Sequence, residues 1–467
     1  MSEATKTEAA MPPSPAAPAA ARPPLWQAFL RFLGPMMLSN VLQALSGTVN
    51  NIYLGQMIGV GAVAAVSAFF PILFFFISFI IGLGAGASVL IGQAWGAREP
   101  EKVKAVAGTA LTVTLLAGIV VALFGGAFTR PLLAAVGTPP DILADATGYA
   151  RIMLAAMPGL FVFILVTSMM RGVGDTVTPL LVLALQTVIG LVLTPALIRG
   201  WAGLPQLGVL SGAYASIVSF LAALAWLAIH LRRRGHALAP DAVLLRRLWI
   251  DLKILRGVLR IGLPSGVQLV LVSLAEVAVL SFVNGFGSDA TAAYGAVNQV
   301  VSYVQFPAIS IAITASIFGA QAIGAGHVDR LGAITRTGLL LNLAITGGLV
   351  ALGYLFSRTL MELFLTSPPV IDLAQDLLHI TLWSYVVFGI AGVVAAVMRA
   401  SGTVLAPTAI SLFAILCVEV PVAWLLSRWI GIDGIWIAYP VAFAVMALGQ
   451  IALYRLVWRK RAIRRLI

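Results

Sequence analysis

Two carboxylates stand where a charge is costly. Glu276 lies in "VSLAEVAVL" (272–280) and Glu419 in "LCVEVPV" (416–422), each inside a long apolar run. Mid-bilayer, a charge costs at least about 2.5 kcal/mol on insertion scales, so it persists where it lines a cavity, pairs or titrates. A carboxylate in such a place can alternate between charged and neutral forms, the property that ion coupling requires. The plainer alternative is a carboxylate hydrogen-bonded inside a helix bundle for packing alone. It applies most to Glu419, because Pro421 frees a backbone carbonyl nearby.

Amides gather in stripes around these acids. Asn40, Gln43, Gly47 and Asn50 recur at helical spacing and so share one face. Tyr294, Asn298, Ser302 and Gln305 do the same, and Gln268 lies two turns before Glu276. Such residues either line a polar cavity or join helices by hydrogen bonds. A third face, Val66, Phe70, Phe74 and Ile77 in and around "FFPILFFF", is apolar and aromatic. It meets lipid or packs in the bundle, or stacks on an aromatic cation.

The elements that must position these residues are membrane helices. The chain has 467 residues, 60% hydrophobic and only 10% charged, against roughly 25% charged in soluble domains. Apolar runs long enough to cross a bilayer fall at 32–55, 62–90, 105–127, 148–170, 178–199, 207–230, 257–284, 291–323, 334–356, 376–398, 406–428 and 434–457. Of the 29 Lys and Arg, all but Arg130, Arg151, Arg199, Arg358 and Arg428 fall on one side of this threading. By the positive-inside rule that side is cytoplasmic, with both termini on it. The basic runs then serve as orientation signals and headgroup contacts, not as a nucleic-acid surface. The first 24 residues, rich in Pro and Ala without an apolar core, read as a disordered tail rather than a signal peptide. A single cysteine excludes an internal disulfide framework, and the four scattered histidines lack ligand spacing.

The chain repeats itself. Ala64, Ala65, Gln93, Gly96 and Ala97 match Ala292, Ala293, Gln321, Gly324 and Ala325, each pair 228 positions apart. Met170, Arg171, Gly174 and Pro179 match Met398, Arg399, Gly402 and Pro407 at the same offset of 228. The expected fold is therefore all-α: twelve transmembrane helices in two parallel six-helix lobes. The N-lobe covers 25–230, a cytoplasmic linker 231–255, the C-lobe 256–457 and a basic tail 458–467. Lobes repeated this way bind substrate between them and rock against each other in secondary transporters.

These residues resemble the MATE family (multidrug and toxic compound extrusion). The resemblance rests on the paired "GQAWGA"/"AQAIGA" and "MRGVGDTVTP"/"MRASGTVLAP" turns and spans about 25–455. It implies export of cationic, amphipathic compounds in exchange for protons or sodium ions; related flippases move lipid-linked sugars on the same architecture. Many members carry an acid in the first span and another in the fifth. Asn50 and Thr194 stand at those places here, so no N-lobe acid is available for coupling. A seventh-span acid is common in the family too, about one helical turn nearer the proline than Glu276.

The expectation is an inner-membrane antiporter, proton favoured over sodium, with Glu276, Glu419, Gln268, Asn298, Gln305, Tyr294, Asn40, Gln43 and Asn50 as coupling or substrate residues. Partners are small molecules and membrane lipids, without nucleic acid, cofactor or a second subunit. A lipid-linked saccharide flippase is the alternative, disfavoured because no Lys or Arg falls mid-span. Arg171 and Arg399 read as anchors of span ends rather than substrate contacts. A channel lacks a filter-like loop here, and an enzyme lacks a nucleophile–base pair or metal ligand set.

Overall fold

A computed structural model describes residues 24–467; the expected disordered tail lies almost wholly outside the described residues. Every described element is helical. In hydrocarbon each backbone N–H and C=O must be satisfied within the segment, which leaves the helix as the natural spanning form. Eleven single helices and one bent pair are long and apolar enough to cross a membrane. In order they are Leu25–Met57, Val60–Gly96, Pro100–Ala135, the pair Leu143–Ala155 with Met157–Gly172, Val177–Arg199, Gly208–Arg233, Leu252–Asn284, Ser288–Gly324, Val328–Leu355, Pro368–Ala400, Leu405–Ile430 and Ile432–Lys460. Each contains the greater part of the corresponding apolar run.

Three spans are irregular. The fourth bends by 54° where Ala156 precedes Pro158. The tenth breaks between Thr381 and Ser384. In the eleventh, Phe413–Glu419 is π-helical, immediately before Pro421. Proline cannot donate to the preceding turn, and a widened turn redistributes the freed carbonyls. Glu419 is the last residue of that widened stretch.

The seventh span starts at Leu252, four residues before the expected lobe boundary. Asp251 caps it by accepting from the N–H of Lys253 and Ile254. The linker is not free. It forms a short helix, Ala242–Arg246, capped by Asp241, and Asp241 is paired with Lys104 of the third span. Arg247 meets Glu101 at 3.4 Å, the Thr109 hydroxyl donates to the Trp249 carbonyl, and His236 faces Asp175 at 3.7 Å. The linker is thus fastened to the N-lobe.

The lobes meet tightly along one seam and loosely along the other. Gly82 and Gly86 of the second span face Gly262 and Gly266 of the seventh so closely that a Cβ on any of them would press on backbone. This is the small-xxx-small device by which membrane helices approach. At the repeat-related seam the positions are Gly34 and Leu38 against Ser310 and Thr314, and nothing lies within 4 Å of a Cβ at Gly34. There the Asn40 amide donates to Ser310 Oγ at 3.1 Å, and Phe29 and Phe32 meet Phe318 edge-on.

Burial follows the same asymmetry along the membrane normal. At the end that carries the linker, one apolar cluster draws residues from both lobes, including Leu33, Leu90, Val258, Ile323 and Val397. Towards the far end there are two clusters, one within each lobe, around Phe69 and Tyr149 in the N-lobe and Trp436 and Val283 in the C-lobe. The molecule is joined at the linker end and divided at the far end.

The last turn of the twelfth span and the residues after it also dock. Trp458 is buried and its indole donates to the Ser401 hydroxyl at 2.8 Å. The Leu466 N–H donates to Gln93 Oε1 at 2.8 Å, and its side chain covers Gly402. Arg465 approaches Glu99 at 3.8 Å. This stretch, expected to serve as a basic tail on headgroups, instead runs from the C-lobe onto the N-lobe.

Candidate functional site

Two cavities face each other across the second and eighth spans. The N-lobe cavity is about 420 Å³ and is lined by Asn40, Gln43, Ser168, Arg171, Pro179 and Gln186 among others. The C-lobe cavity is about 290 Å³ and is lined by Gln268, Phe388, Arg399, Pro407, Thr408 and Ser411 among others. Asn40 with Gln268, Arg171 with Arg399, and Pro179 with Pro407 are each 228 positions apart, so the cavities are copies of one another. Ile81, Ala85, Ser88 and Ile313 line both and form their shared wall. Their size suits drug-like ligands, whose sites start at roughly 300 Å³.

The acids lie elsewhere, in the far half of the C-lobe. Glu419 is buried and Glu276 exposed, and both lie in the neighbourhood of the Tyr294 hydroxyl. The Tyr294 hydroxyl is 3.0 Å from that of Tyr439, and its ring stacks on Trp436 at 5.7 Å. Asn298 follows one turn after Tyr294 and is exposed. The seventh, eighth, eleventh and twelfth spans therefore bring two carboxylates and a tyrosine pair into one group.

Asn50 belongs to a third place. It lines a pocket of about 160 Å³ with Ser46, Tyr53, Gln186, Thr194, Ser216 and Ser219. The two positions where the family resemblance leads one to expect acids, Asn50 and Thr194, thus converge on a pocket with only neutral polar groups. Gln186 Oε1 is buried there without a partner among the described residues.

The expected site residues are accordingly distributed. Glu276, Glu419, Tyr294 and Asn298 form the acidic group. Asn40, Gln43 and Gln268 line the paired cavities, Asn50 the neutral pocket. Gln305 is half-buried and lines none of these. Tyr439 and Gln186 were not singled out in the sequence; Gln186 does share a helical face with Gly190 and Thr194, a signal that spacing could have supplied. Arg171 and Arg399 depart from expectation. Both stand in the last turn of their helices, as span anchors would, and both are also among the residues that line the two cavities. Their repetition at one offset was a visible signal, masked by their position beside turn glycines.

Comparison with known proteins agrees with this architecture. The MatE family model matches residues 35–196 and 264–425, one stretch in each lobe. The chain is 49% identical over 448 residues to a probable multidrug resistance protein, YoeA, of Bacillus subtilis, covering 96% of this chain and 97% of that protein. It is 26% identical over 418 residues to a FAD transporter of Shewanella oneidensis, covering 88% and 90%. The fold matches a solved outward-facing conformation of a multidrug resistance MATE family transporter with a TM-score of 0.85 at 23% identity, over 92% of this chain and 95% of that one. Matched in both lobes and along nearly its whole length, the chain belongs to the MatE family of membrane transporters and is not an enzyme.

Proposed function

We propose that the protein exports amphipathic, cationic organic compounds from the cell in exchange for a coupling ion, the proton in preference to sodium, by alternating access. The observation that carries this reading is the placement of two carboxylates, Glu276 and Glu419, around the Tyr294–Tyr439 pair in a lobe whose far-end core is separate from that of its partner. With the basic linker end in the cytoplasm of an inner-membrane protein, that cleft faces outward. A proton arriving from outside neutralises the carboxylate group and a cationic substrate leaves. After the lobes rock, the proton departs inward and the restored charge draws the next cation. Exchange follows because proton and substrate compete for one coupled group.

Two acids set near a tyrosine hydroxyl pair favour the proton; a hard cation prefers a cage of several oxygens. The name of the Bacillus relative supports drug-like cargo, and the saccharide flippase is not favoured. The test is ethidium efflux from proteoliposomes under separately imposed proton and sodium gradients, wild type beside Glu276→Gln. Efflux driven by the proton gradient and lost in the variant is expected. Wild-type rate and unchanged pH dependence in the variant would remove Glu276 from the mechanism.

A further inference from the structure

Arg171 and Arg399 are unspent by the mechanism above. We propose that they are a duplicated pair of anion-recognition residues, each holding a carboxylate or phosphate of an amphipathic substrate within the cavity it lines. This deepens the export reading by giving the cargo an acidic group beside its apolar or cationic part.

A guanidinium withdrawn from water needs a counter-charge or hydrogen-bond acceptors. Neither arginine has a carboxylate within salt-bridge distance among the described residues. Arg171 donates its Nε–H to the Thr167 carbonyl at 3.3 Å, within its own helix. Asp175, the acid nearest to it in sequence, is occupied: it accepts from the N–H and the hydroxyl of Thr178 and faces His236. The repeat-related position to Asp175 is Thr403, so Arg399 has no neighbouring acid of this kind at all.

Each arginine closes a helix, and a cation there is favoured by the helix dipole. Two carbonyls that would serve it are already taken, however. The Gly172 carbonyl accepts from Gln321 and the Ala400 carbonyl from Gln93. What each arginine adjoins besides its own helix is the cavity it lines. The cavity walls are otherwise apolar or neutral polar, with Ser88, Gln268, Thr408 and Ser411 on one side and Asn40, Gln43 and Ser168 on the other. A planar fork of donors matches a carboxylate or phosphate with two parallel hydrogen bonds. Because the cavities share the Ile81, Ala85, Ser88 and Ile313 wall, substrate can be passed between two like positions, one per lobe.

The test uses the purified full-length protein in phosphatidylcholine nanodiscs and two dyes of one fluorophore: rhodamine B, with a free carboxyl, and its methyl ester. Fluorescence anisotropy reads binding without any need for transport. Wild type is expected to bind rhodamine B about tenfold more tightly than the ester, the scale of one charge-assisted hydrogen-bond set. Arg171→Gln and Arg399→Gln each narrow that preference and the double variant abolishes it. Equal binding of both dyes to wild type, or variants that weaken both dyes alike, overturns the proposal.

Should the glutamine variants fail to fold, the wild-type preference still decides, and Arg171→Lys with Arg399→Lys keeps the charge but not the fork, predicting an intermediate preference. Repeating the titration in phosphatidylglycerol nanodiscs separates sources of the acid. An unchanged preference assigns the positions to soluble amphiphiles, and displacement of rhodamine B assigns them to a lipid headgroup. Transport of neither dye, with the binding preference intact, would count against the export reading and leave anion recognition standing.

Discussion

Gln93 and Gln321 make the same hydrogen bond in opposite directions. Gln93 donates its amide to the Ala400 carbonyl at 2.8 Å, and Gln321 donates to the Gly172 carbonyl at 3.0 Å. All four residues obey the 228-position offset. Beside them, a Cβ on Gly96 would strike the backbone of Gln321, and one on Gly324 the backbone of Gln93. The paired turns that mark the repeat in the sequence are therefore the seal of the linker end.

Removing either amide loosens that seal. A hydrogen bond of this type contributes about 1 kcal/mol, or roughly a fivefold change in the ratio of two states. Gln321→Ala is expected to raise the population open at the linker end by about that factor. Gln93→Ala is expected to do more, because it also strands the Leu466 N–H. Paired spin labels on the second–third and eighth–ninth turns, in a Cys417→Ala background, read the populations; identical distance distributions in wild type and both variants would refute the seal.

Gly96→Ala and Gly324→Ala act by collision rather than loss. The added carbon meets backbone, which cannot rotate away, and overpacking of this kind costs about 1–3 kcal/mol. Both variants are expected to favour the linker-end-open form and to slow efflux. Wild-type transport in both would mean that the lobes never close as described.

The docked segment after the twelfth span is tied to the same place. Leu466→Asp should expel it, since the leucine covers Gly402 and adjoins the shared apolar cluster. Trypsin cutting at Arg461, Arg464 and Arg465 is expected to accelerate several-fold over wild type. A variant cut no faster than wild type would show that the segment is held by something other than Leu466.

Glu276 and Glu419 should behave as one unit. They stand on spans that pack against one another near Tyr294, and residues that share partners give non-additive effects. Glu276→Gln and Glu419→Gln are each expected to reduce proton-driven ethidium efflux by about tenfold or more, and the double variant to be little worse than either. Multiplicative losses would assign the two acids to separate steps.

The linker carries a pH dependence of its own. Burial holds the His236 imidazole below its ordinary value, opposed by Asp175 at 3.7 Å and assisted by His230. The hydrogen bond from Lys104, with those from the backbone of Leu244 and Val243, holds Asp241 below the usual carboxylate range. For a depressed histidine the folded state prefers the neutral ring. Its contribution to docking is complete above the ordinary histidine range and is lost as pH falls through the depressed value. Asp241 behaves likewise at much lower pH. Protection factors over 236–251, with exchange corrected for its intrinsic pH dependence, are expected to fall between about pH 7.5 and pH 5 in wild type and to change less in His236→Gln. A flat wild-type profile would refute this.

Periodicity and length made the twelve spans legible, and the common offset made the two lobes legible. Hydropathy integrates over about 20 residues, so it located the eleventh span but not the widened turn at Phe413–Glu419 within it, nor the bend at Ala156 in the fourth. The two acids stood out because charge inside an apolar run needs no tertiary knowledge to be noticed. Arg171 and Arg399 did not, because a basic residue before a turn looks the same whether it points at headgroups or into a cavity. The docked residues 458–467 were misread for the same reason: charge pattern carries no information about which surface lies opposite.

A two-fold contact in which one residue meets another and the second meets the first in the same way is the signature of isologous dimers. Here that contact, Gln93 and Gly96 against Gln321 and Gly324, lies inside a single polypeptide. Cutting the chain within the linker removes none of it. Two co-expressed halves, residues 1–240 and 241–467, carry complementary copies of the same surface, so a six-helix ancestor would have had the means to assemble as a homodimer before its gene was doubled.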